Sequence, residues 1–401
     1  MNKYNKETFL DIYNQHTNYR QSSLNLMPSE NLTSPLSRKF LSSDMGSRYF
    51  FKDTFSSKSG LSYSYSGTKH IDEIISIGEG LAKKLFKAKH ASLYPLSGHL
   101  ASMAILFGFT KPNDNIIVYG SEFGGYPGLD KDKLPKYMNL NTFHFPVIEG
   151  KPELIDIDKT LELIYEIKPK VIIYSSAHTL FPIDINKIAT ASKDVGSVFV
   201  YDASHPLGII AGGLFQSPLE EGADILIAGT QKSFPGPQGG LIAANEQFDV
   251  IRAVEHFVIV DNPHFHRIAA STVALAEMTE FGESYAKQVV KNTKSLAKNL
   301  DDLGFPMRYS ELGYTETHMS KMDLFKGFHE FVQELERCNI MIDTAGRIGA
   351  GEMTRIGMKE EEMVKIANLI YKSYKGTNHS VIKQDVQKLK TPFKEIQYCY
   401  K

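Results

Sequence analysis

The sequence predicts an α/β protein: a large domain on a mainly parallel sheet between helices, followed by a small α+β C-terminal domain. Three observations carry this prediction. Short apolar runs recur as ASLYPL, NIIVYG, VIIYSS, SVFVYDA, DILIAGT and GLIAAN, each too brief for a helix and each followed by polar or glycine-rich residues. Between most of them lie segments with helical periodicity, such as GHLASMAILFGF and DINKIATASKD. Strands alternating with helices cover both faces of a sheet, and covered faces are what parallel strands require. Finally, 401 residues that are 42% hydrophobic suffice for one large core and a second, smaller one.

In chain order, residues 1–65 read as a short helix and then an irregular arm rich in Ser, Tyr and Phe. From His70, HIDEIISIGEGLAKKLFKA repeats apolar residues at the three- and four-residue intervals of an amphipathic helix. The strand runs follow, and residues 66–280 are assigned to the large domain. The long helical pattern of residues 267–302 leads out of it, and residues 281–401, mixing short strands and helices, form the small domain.

Charge and cysteine content exclude several classes. Lys+Arg number 45 against 46 Asp+Glu, a net charge of -1, so no strong field gathers nucleic acid or an anionic membrane. A small-molecule role is favoured. Cys338 and Cys399 have no metal-ligand spacing, so neither a disulfide framework nor a metal module is expected. The N-terminal stretch lacks a signal-peptide apolar core, and no apolar run approaches the roughly 20 residues that span a bilayer. A cytoplasmic protein without nucleic-acid or membrane partners is expected.

In open parallel sheets, ligands bind beyond the carboxyl ends of the strands. That rule selects Ser97-Gly98-His99, Ser175-Ser176, Asp202-Ala203-Ser204-His205 and Thr230-Gln231-Lys232. Singly, each has an ordinary explanation: Ser-Gly caps helices, a carboxylate caps turns, and a loop lysine is commonly a hydrated charge. Taken together they are more specific. Asp202 follows a run that should be buried, and an isolated buried charge is costly. Lys232 ends the next such strand, inside a loop stiffened by Pro235 and Pro237 and opened by Gly236, Gly239 and Gly240. A lysine for a Schiff base and a carboxylate for the protonated ring nitrogen are the two anchors pyridoxal phosphate requires. Small residues at a helix start, as at Ser97-Gly98, suit its phosphate.

With these residues in that order, the chain resembles the fold-type I pyridoxal-phosphate enzymes (aspartate aminotransferase-like), and among them serine hydroxymethyltransferase. NLMPSENLTS, YSGTKHIDEIISIGE, LSGHLASMAIL, DASHPLGIIAGG, TQKSFPGPQGG and RIGAGEMTRIGM match its blocks in order. The forms of TQKSFPGPQGG and NPHFHRIAASTVALAEM are closer to the archaeal-type branch. The resemblance implies a seven-stranded sheet and a homodimer with shared active sites. It implies Lys232 as the Schiff-base lysine, Asp202 as the pyridinium partner, and His205 near the phenolic oxygen or the lysine. Ser97, Gly98 and His99 would hold the phosphate, with Ser175 and Thr230 beside the cofactor and Tyr126 stacked on its ring. Arg347 would clamp the substrate carboxylate, supported by Ser29 and by Tyr65 across the dimer interface, and Glu30 would be a further substrate-binding residue. Tyr49 aligns with a catalytic tyrosine.

Three departures bear on the reaction. Phe51 falls where relatives carry a glutamate that handles protons on the substrate hydroxyl and the one-carbon unit, and phenylalanine transfers no proton. Asp53 and Glu30 are the alternative acids, and the stretch from Tyr49 to Tyr65 is longer than in relatives. Tyr126 replaces a stacking histidine, a role a tyrosine can fill. Val260-Asp261-Asn262-Pro263 replaces the glycine loop that reaches the neighbouring subunit's phosphate. The resemblance therefore implies aldol-type chemistry at Cα–Cβ of a small amino acid. Folate-independent aldolase, transaldolase or α-methylserine reactions compete there with folate-linked transfer, so a bound folate or pterin is in question. Transamination, decarboxylation and elimination are the alternatives on the same scaffold, and a non-catalytic cofactor-binding role is a third reading.

Overall fold

The apolar runs at the centre of the chain assemble into one seven-stranded sheet. The structure is a computed structural model that describes residues 5–50, 65–256 and 258–401, so Phe51 and Asp53 lie outside the described residues. In chain order the strands are β1 (His90–Ser92), β2 (Asn115–Val118), β3 (Asn141–His144), β4 (Val171–Tyr174), β5 (Val198–Asp202), β6 (Ile225–Gly229) and β7 (Gly240–Ala244). Their spatial order is β1-β7-β6-β5-β4-β2-β3. The pairs from β3 through β6 are parallel, whereas β7 runs antiparallel to both β6 and β1. That reversal follows from the connection. Residues 230–239 join β6 to β7 too briefly for a crossover helix, so the chain turns back as a hairpin, with Gly240 opposite Gly229.

Burial explains why the inner strands read as unbroken apolar runs. Every residue of β4, β5, β6 and β7 is buried, as expected for strands covered on both faces. Alternate residues, among them Val118, Ile173, Val200, Ile227 and Ile242, join Ala101, Ile105 and Ile251 in one apolar cluster. Ala101 and Ile105 belong to helix Gly98–Phe109, and Ile251 to helix Phe248–Glu255. The seventh strand, β3, has the sequence NTFH and contains no fully buried residue. An edge strand of that composition leaves no apolar run to find, which is why the six runs do not include it.

The chain divides into two compact units, Asn31–Lys287 with Tyr398–Lys401, and Met1–Glu30 with Gln288–Gln397. The sequence places divisions after residues 65 and 280; in the structure they fall after Glu30 and Lys287, the latter inside the helix Phe265–Asp302. The physical reason lies in strand pairing across most of the chain. Leu24–Asn25 pairs in parallel with Ile340–Met341, which assigns the first residues to the smaller unit. That unit also pairs Met319–Lys321 with Arg347–Gly349 and adds helices Phe328–Arg337, Glu360–Tyr374 and His379–Lys390, an α+β arrangement.

Candidate active site

Asp202 is the last residue of β5, and its carboxylate is buried at the carboxyl edge of the sheet. Two neighbours orient it. Ser175, just past β4, donates its hydroxyl to Oδ2 at 2.7 Å, and the backbone N–H of Ser204 donates to Oδ1 at 2.9 Å. A carboxylate fixed by two donors on one side offers its remaining lone pairs to a cation in front of the strand ends. Ser204 extends this network, since its hydroxyl accepts the Gly229 N–H at 2.7 Å and links the ends of β5 and β6.

Lys232 sits three residues beyond β6, on the hairpin loop to β7. The loop is internally tied: Thr230 N–H donates to Gly239 O at 3.1 Å, Gly236 N–H donates to Thr230 O at 3.0 Å, and the Thr230 hydroxyl donates to Pro237 O at 2.6 Å. Lys232 itself is half-buried, whereas residues 233–237 are buried. Because β6 lies beside β5, with Ile227 opposite Asp202, the loop carries the lysine to the edge that holds the carboxylate. His205, also buried, reaches the same loop through its carbonyl, which accepts from the Ser233 hydroxyl.

The helix Gly98–Phe109 begins at this edge. Ser97 caps it, its hydroxyl oxygen accepting the Leu100 N–H at 3.2 Å. An alanine methyl at Gly98 would stand 3.0 Å from the Gly229 nitrogen and 3.1 Å from Ser204 Oγ, so the close approach of this helix start to the ends of β5 and β6 favours a glycine there. The first-turn N–H groups at such a helix start form a cradle suited to a phosphate dianion. The side-chain amide of Gln231, between Thr230 and Lys232, lies near Gly229 beside this cradle. Gly98→Ala is expected to weaken cofactor binding about tenfold, since backbone blocks relief of the contact. Equilibrium titration of cofactor-free protein checks this, and unchanged affinity would contradict it.

Tyr126 and His99 form a pair, with the Tyr126 hydroxyl 3.2 Å from His99 Nδ1. The backbone N–H of Tyr126 donates to Ser175 O at 2.9 Å, which places the ring next to the Asp202 network. Burial, and then the nearby charge of Asp202, raise the Tyr126 pKa, so the ring is a neutral phenol at ordinary pH. Along the arm, the Tyr49 hydroxyl donates to Asp261, which pushes its pKa up to about 12, and its ring lies 5.2 Å from that of Tyr65. Asn262 donates to Arg48 O at 3.1 Å, so the segment that departs from the expected glycine loop packs against this arm.

The remaining predicted residues belong to the smaller unit. Arg347 forms a 2.7 Å ion pair from Nε to Asp343 Oδ2. Glu30 takes the Arg20 guanidinium at 2.5 Å and the Asn25 amide at 2.9 Å, and Ser29 occupies the turn before it. The structure thus brings Ser97, Gly98, His99, Tyr126, Ser175, Asp202, His205, Thr230 and Lys232 to one sheet edge. It places Tyr49 and Tyr65 together on the arm, and Ser29, Glu30 and Arg347 in the other unit. Sequence reasoning gave no separate role to Asn31, Ser204, Gln231 or Tyr285, although the strand-end rule selected the stretches holding Ser204 and Gln231, and Asn31 is the third letter of the SEN block.

The family model for serine hydroxymethyltransferase matches residues 1–370 of this chain. The chain belongs to the serine hydroxymethyltransferase family. Among its relatives is the serine hydroxymethyltransferase of Archaeoglobus fulgidus, 36% identical over 416 residues, covering 99% of this chain and 93% of the relative. That of Methanothermobacter marburgensis is 35% identical over 415 residues, covering 98% and 95%. Among solved structures, L-threonine transaldolase from Pseudomonas fluorescens superimposes with a TM-score of 0.90 at 28% identity, covering 98% of this chain and 93% of that one. The fold is therefore that of the fold-type I pyridoxal-phosphate enzymes, and the cofactor is pyridoxal phosphate. The protein is a transferase or lyase of this family that acts on an amino acid through aldol-type Cα–Cβ chemistry. The donor set fits the cofactor: an amine at Lys232, an oriented carboxylate at Asp202 and a glycine cradle at a helix start. Among the described residues, no helix is long and apolar enough to cross a membrane.

Proposed function

We propose that the protein cleaves and forms the Cα–Cβ bond of a β-hydroxy amino acid without folate, as an aldolase or transaldolase, with Lys232 as the Schiff-base lysine. The observation that carries this reading is the pairing of Asp202, oriented by Ser175 and Ser204, with a lysine on the adjoining strand's hairpin. Pyridoxal phosphate, when bound, supplies an electron sink for charge developing at Cα. The chain's own residues do the rest. Asp202 keeps the ring nitrogen protonated, and Ser97, Gly98 and His99 hold the phosphate. Tyr126 covers one face of the ring, while His205, Ser175 and Thr230 line the edge. Arg347, supported by Ser29 and Tyr65, takes the substrate carboxylate. Cleavage removes the β-hydroxyl proton, expels an aldehyde and leaves the electron pair at Cα. A proton then gives glycine, or a second aldehyde gives a new β-hydroxy amino acid.

Two considerations favour the folate-independent form. The family resemblance sets Phe51 where relatives carry the glutamate that serves the one-carbon unit, and the transaldolase from Pseudomonas fluorescens shares the fold at a TM-score of 0.90. Tyr49, with its proton held toward Asp261 and its pKa near 12, serves as a hydrogen-bond donor rather than a base.

We further propose a homodimer in which the arm completes the partner's site. Tyr49 and Tyr65 remain 37% and 42% exposed, and helix Lys6–Gln21 buries none of its side chains, leaving Phe9, Ile12 and Tyr13 outward. A cytoplasmic location accords with the balanced charge and with two cysteines that are not joined in a disulfide. The test offers glycine, serine, threonine and alanine with and without a folate, identifying products by mass spectrometry. Threonine is expected to yield glycine and acetaldehyde with no folate present. A keto acid or an amine as the product would overturn the proposal. Introducing Phe51→Glu is expected to confer folate-dependent hydroxymethyl transfer, which the parent protein should lack.

A further inference from the structure

The SEN block contributes more than a substrate serine. Asn31 turns its side-chain amide onto the catalytic loop, donating to Lys232 O at 2.9 Å and Ser233 O at 3.2 Å, and to the Tyr285 hydroxyl at 2.7 Å. The orientation of that amide is set by its own oxygen, which accepts the Leu32 N–H at 2.9 Å. Tyr285, fully buried, closes the arrangement by donating its hydroxyl to Ser233 O at 3.3 Å. The carbonyls of Lys232 and Ser233 are therefore both held by one amide, and that of Ser233 by a phenol as well. Holding the Lys232 carbonyl restrains the backbone from which the lysine side chain departs.

Tyr285 is in turn braced by a remote stretch of sequence. Residues Tyr398–Lys401 belong to the large unit, although the residues before them, 288–397, belong to the small one. They lie along a single stripe of helix Phe265–Asp302, whose contact residues Glu277, Phe281 and Tyr285 recur every four positions. The Tyr400 N–H donates to Glu277 Oε1 at 3.4 Å, the Tyr400 ring meets Phe281 at 5.9 Å, and the Tyr398 ring meets Tyr285 at 5.5 Å. Cys399 between them is buried, and Tyr398 adopts a left-handed backbone with φ of 57°. A bulky residue takes that conformation only where packing holds it there.

We propose that Tyr398 is a positioning residue for Lys232, acting through the Tyr285–Asn31 pair on the carbonyls of Lys232 and Ser233. The proposal rests on Lys232 being the Schiff-base lysine. Without the Tyr398 ring, Tyr285 gains rotational freedom, the clamp on the two carbonyls loosens, and the lysine samples more orientations toward the cofactor.

The experiment follows the visible absorption band of the lysine–cofactor linkage against pH in the holoenzyme, with thermal melting of cofactor-free protein in parallel. Tyr398→Ala is expected to shift the titration midpoint by about half a pH unit, roughly a threefold change in the protonation equilibrium. Tyr398→Phe, which keeps the ring, should retain the parent midpoint. In a Tyr285→Phe background, Tyr398→Ala should add no further shift, because both changes act on one pathway. A control for stability alone is Tyr374→Ala, which removes a ring from the Phe305–Phe325–Phe331 cluster of the other unit. It should lower melting without moving the midpoint. A Tyr398→Ala protein that melts lower but titrates as the parent does overturns the proposal, as does an equal shift from Tyr374→Ala. The lysine assignment fails separately, and this proposal with it, if the band persists in Lys232→Ala.

Discussion

Lys232→Ala is expected to abolish covalent attachment of the cofactor and to lower turnover by about 10³-fold or more. In the proposed site, covalent attachment depends on one amine, which Lys232 carries on an ordered loop. The hairpin between β6 and β7 is tied by Thr230, Gly236 and Gly239, so the lysine leaves a loop whose backbone is already ordered. Such ordering is what makes the amine an effective reactant rather than a tethered solvent charge. Alanine leaves those backbone bonds intact, so the folded protein should persist while its function fails. Borohydride reduction followed by peptide mass spectrometry reads the result directly: the parent should carry cofactor on Lys232, and the variant should carry none. Attachment at another lysine in the parent would overturn the assignment.

Asp202→Asn carries the second-largest expected effect, a loss of turnover of about 10²–10³-fold, the size associated with removing one partner of a buried ion pair. In the proposed site, the amide would remove the charge that holds the ring nitrogen protonated. It also disturbs the local network. Asp202 receives donors on both oxygens, from the Ser175 hydroxyl and from the Ser204 N–H. An asparagine has one acceptor oxygen, so its NH₂ must face one of these donors, and only the hydroxyl can rotate to accept. The favoured arrangement therefore keeps the Ser204 contact and reverses the Ser175 hydroxyl. Steady-state kinetics together with cofactor affinity test the claim. A variant with parental turnover and affinity would show that Asp202 has no role in the electronics of the cofactor.

The structure places Asp202 and Lys232 at neighbouring strand ends, whereas Phe51 lies outside the described residues. Asp202 and Lys232 are recognisable because each closes an apolar run whose length and composition require a buried strand, and the rule for open sheets then places their ends on one edge. Periodicity is local, so helices such as Gly98–Phe109 and Ile185–Val195 lie close to where the spacing puts them. Strand β3 escaped because an edge strand needs no apolar run. Ser204 and Gln231 fell within the selected strand-end stretches but without a role of their own, because a polar residue in a loop has no pattern; only contact with Gly229 gives either of them one.

The sequence by itself determined the fold class, the cofactor and the two residues expected to anchor it, because strand and helix periods and strand-end chemistry are written within short windows. Tertiary structure alone decided how those residues are held. The Ser175 and Ser204 donors on Asp202, the glycine cradle at Gly98, the pairing of Leu24–Asn25 with Ile340–Met341 and the reach of Tyr398 to Tyr285 all join positions distant in the chain. Hydrogen bonds and ring contacts of this kind depend on ångström-scale distances between segments, and no local pattern of residues encodes a distance.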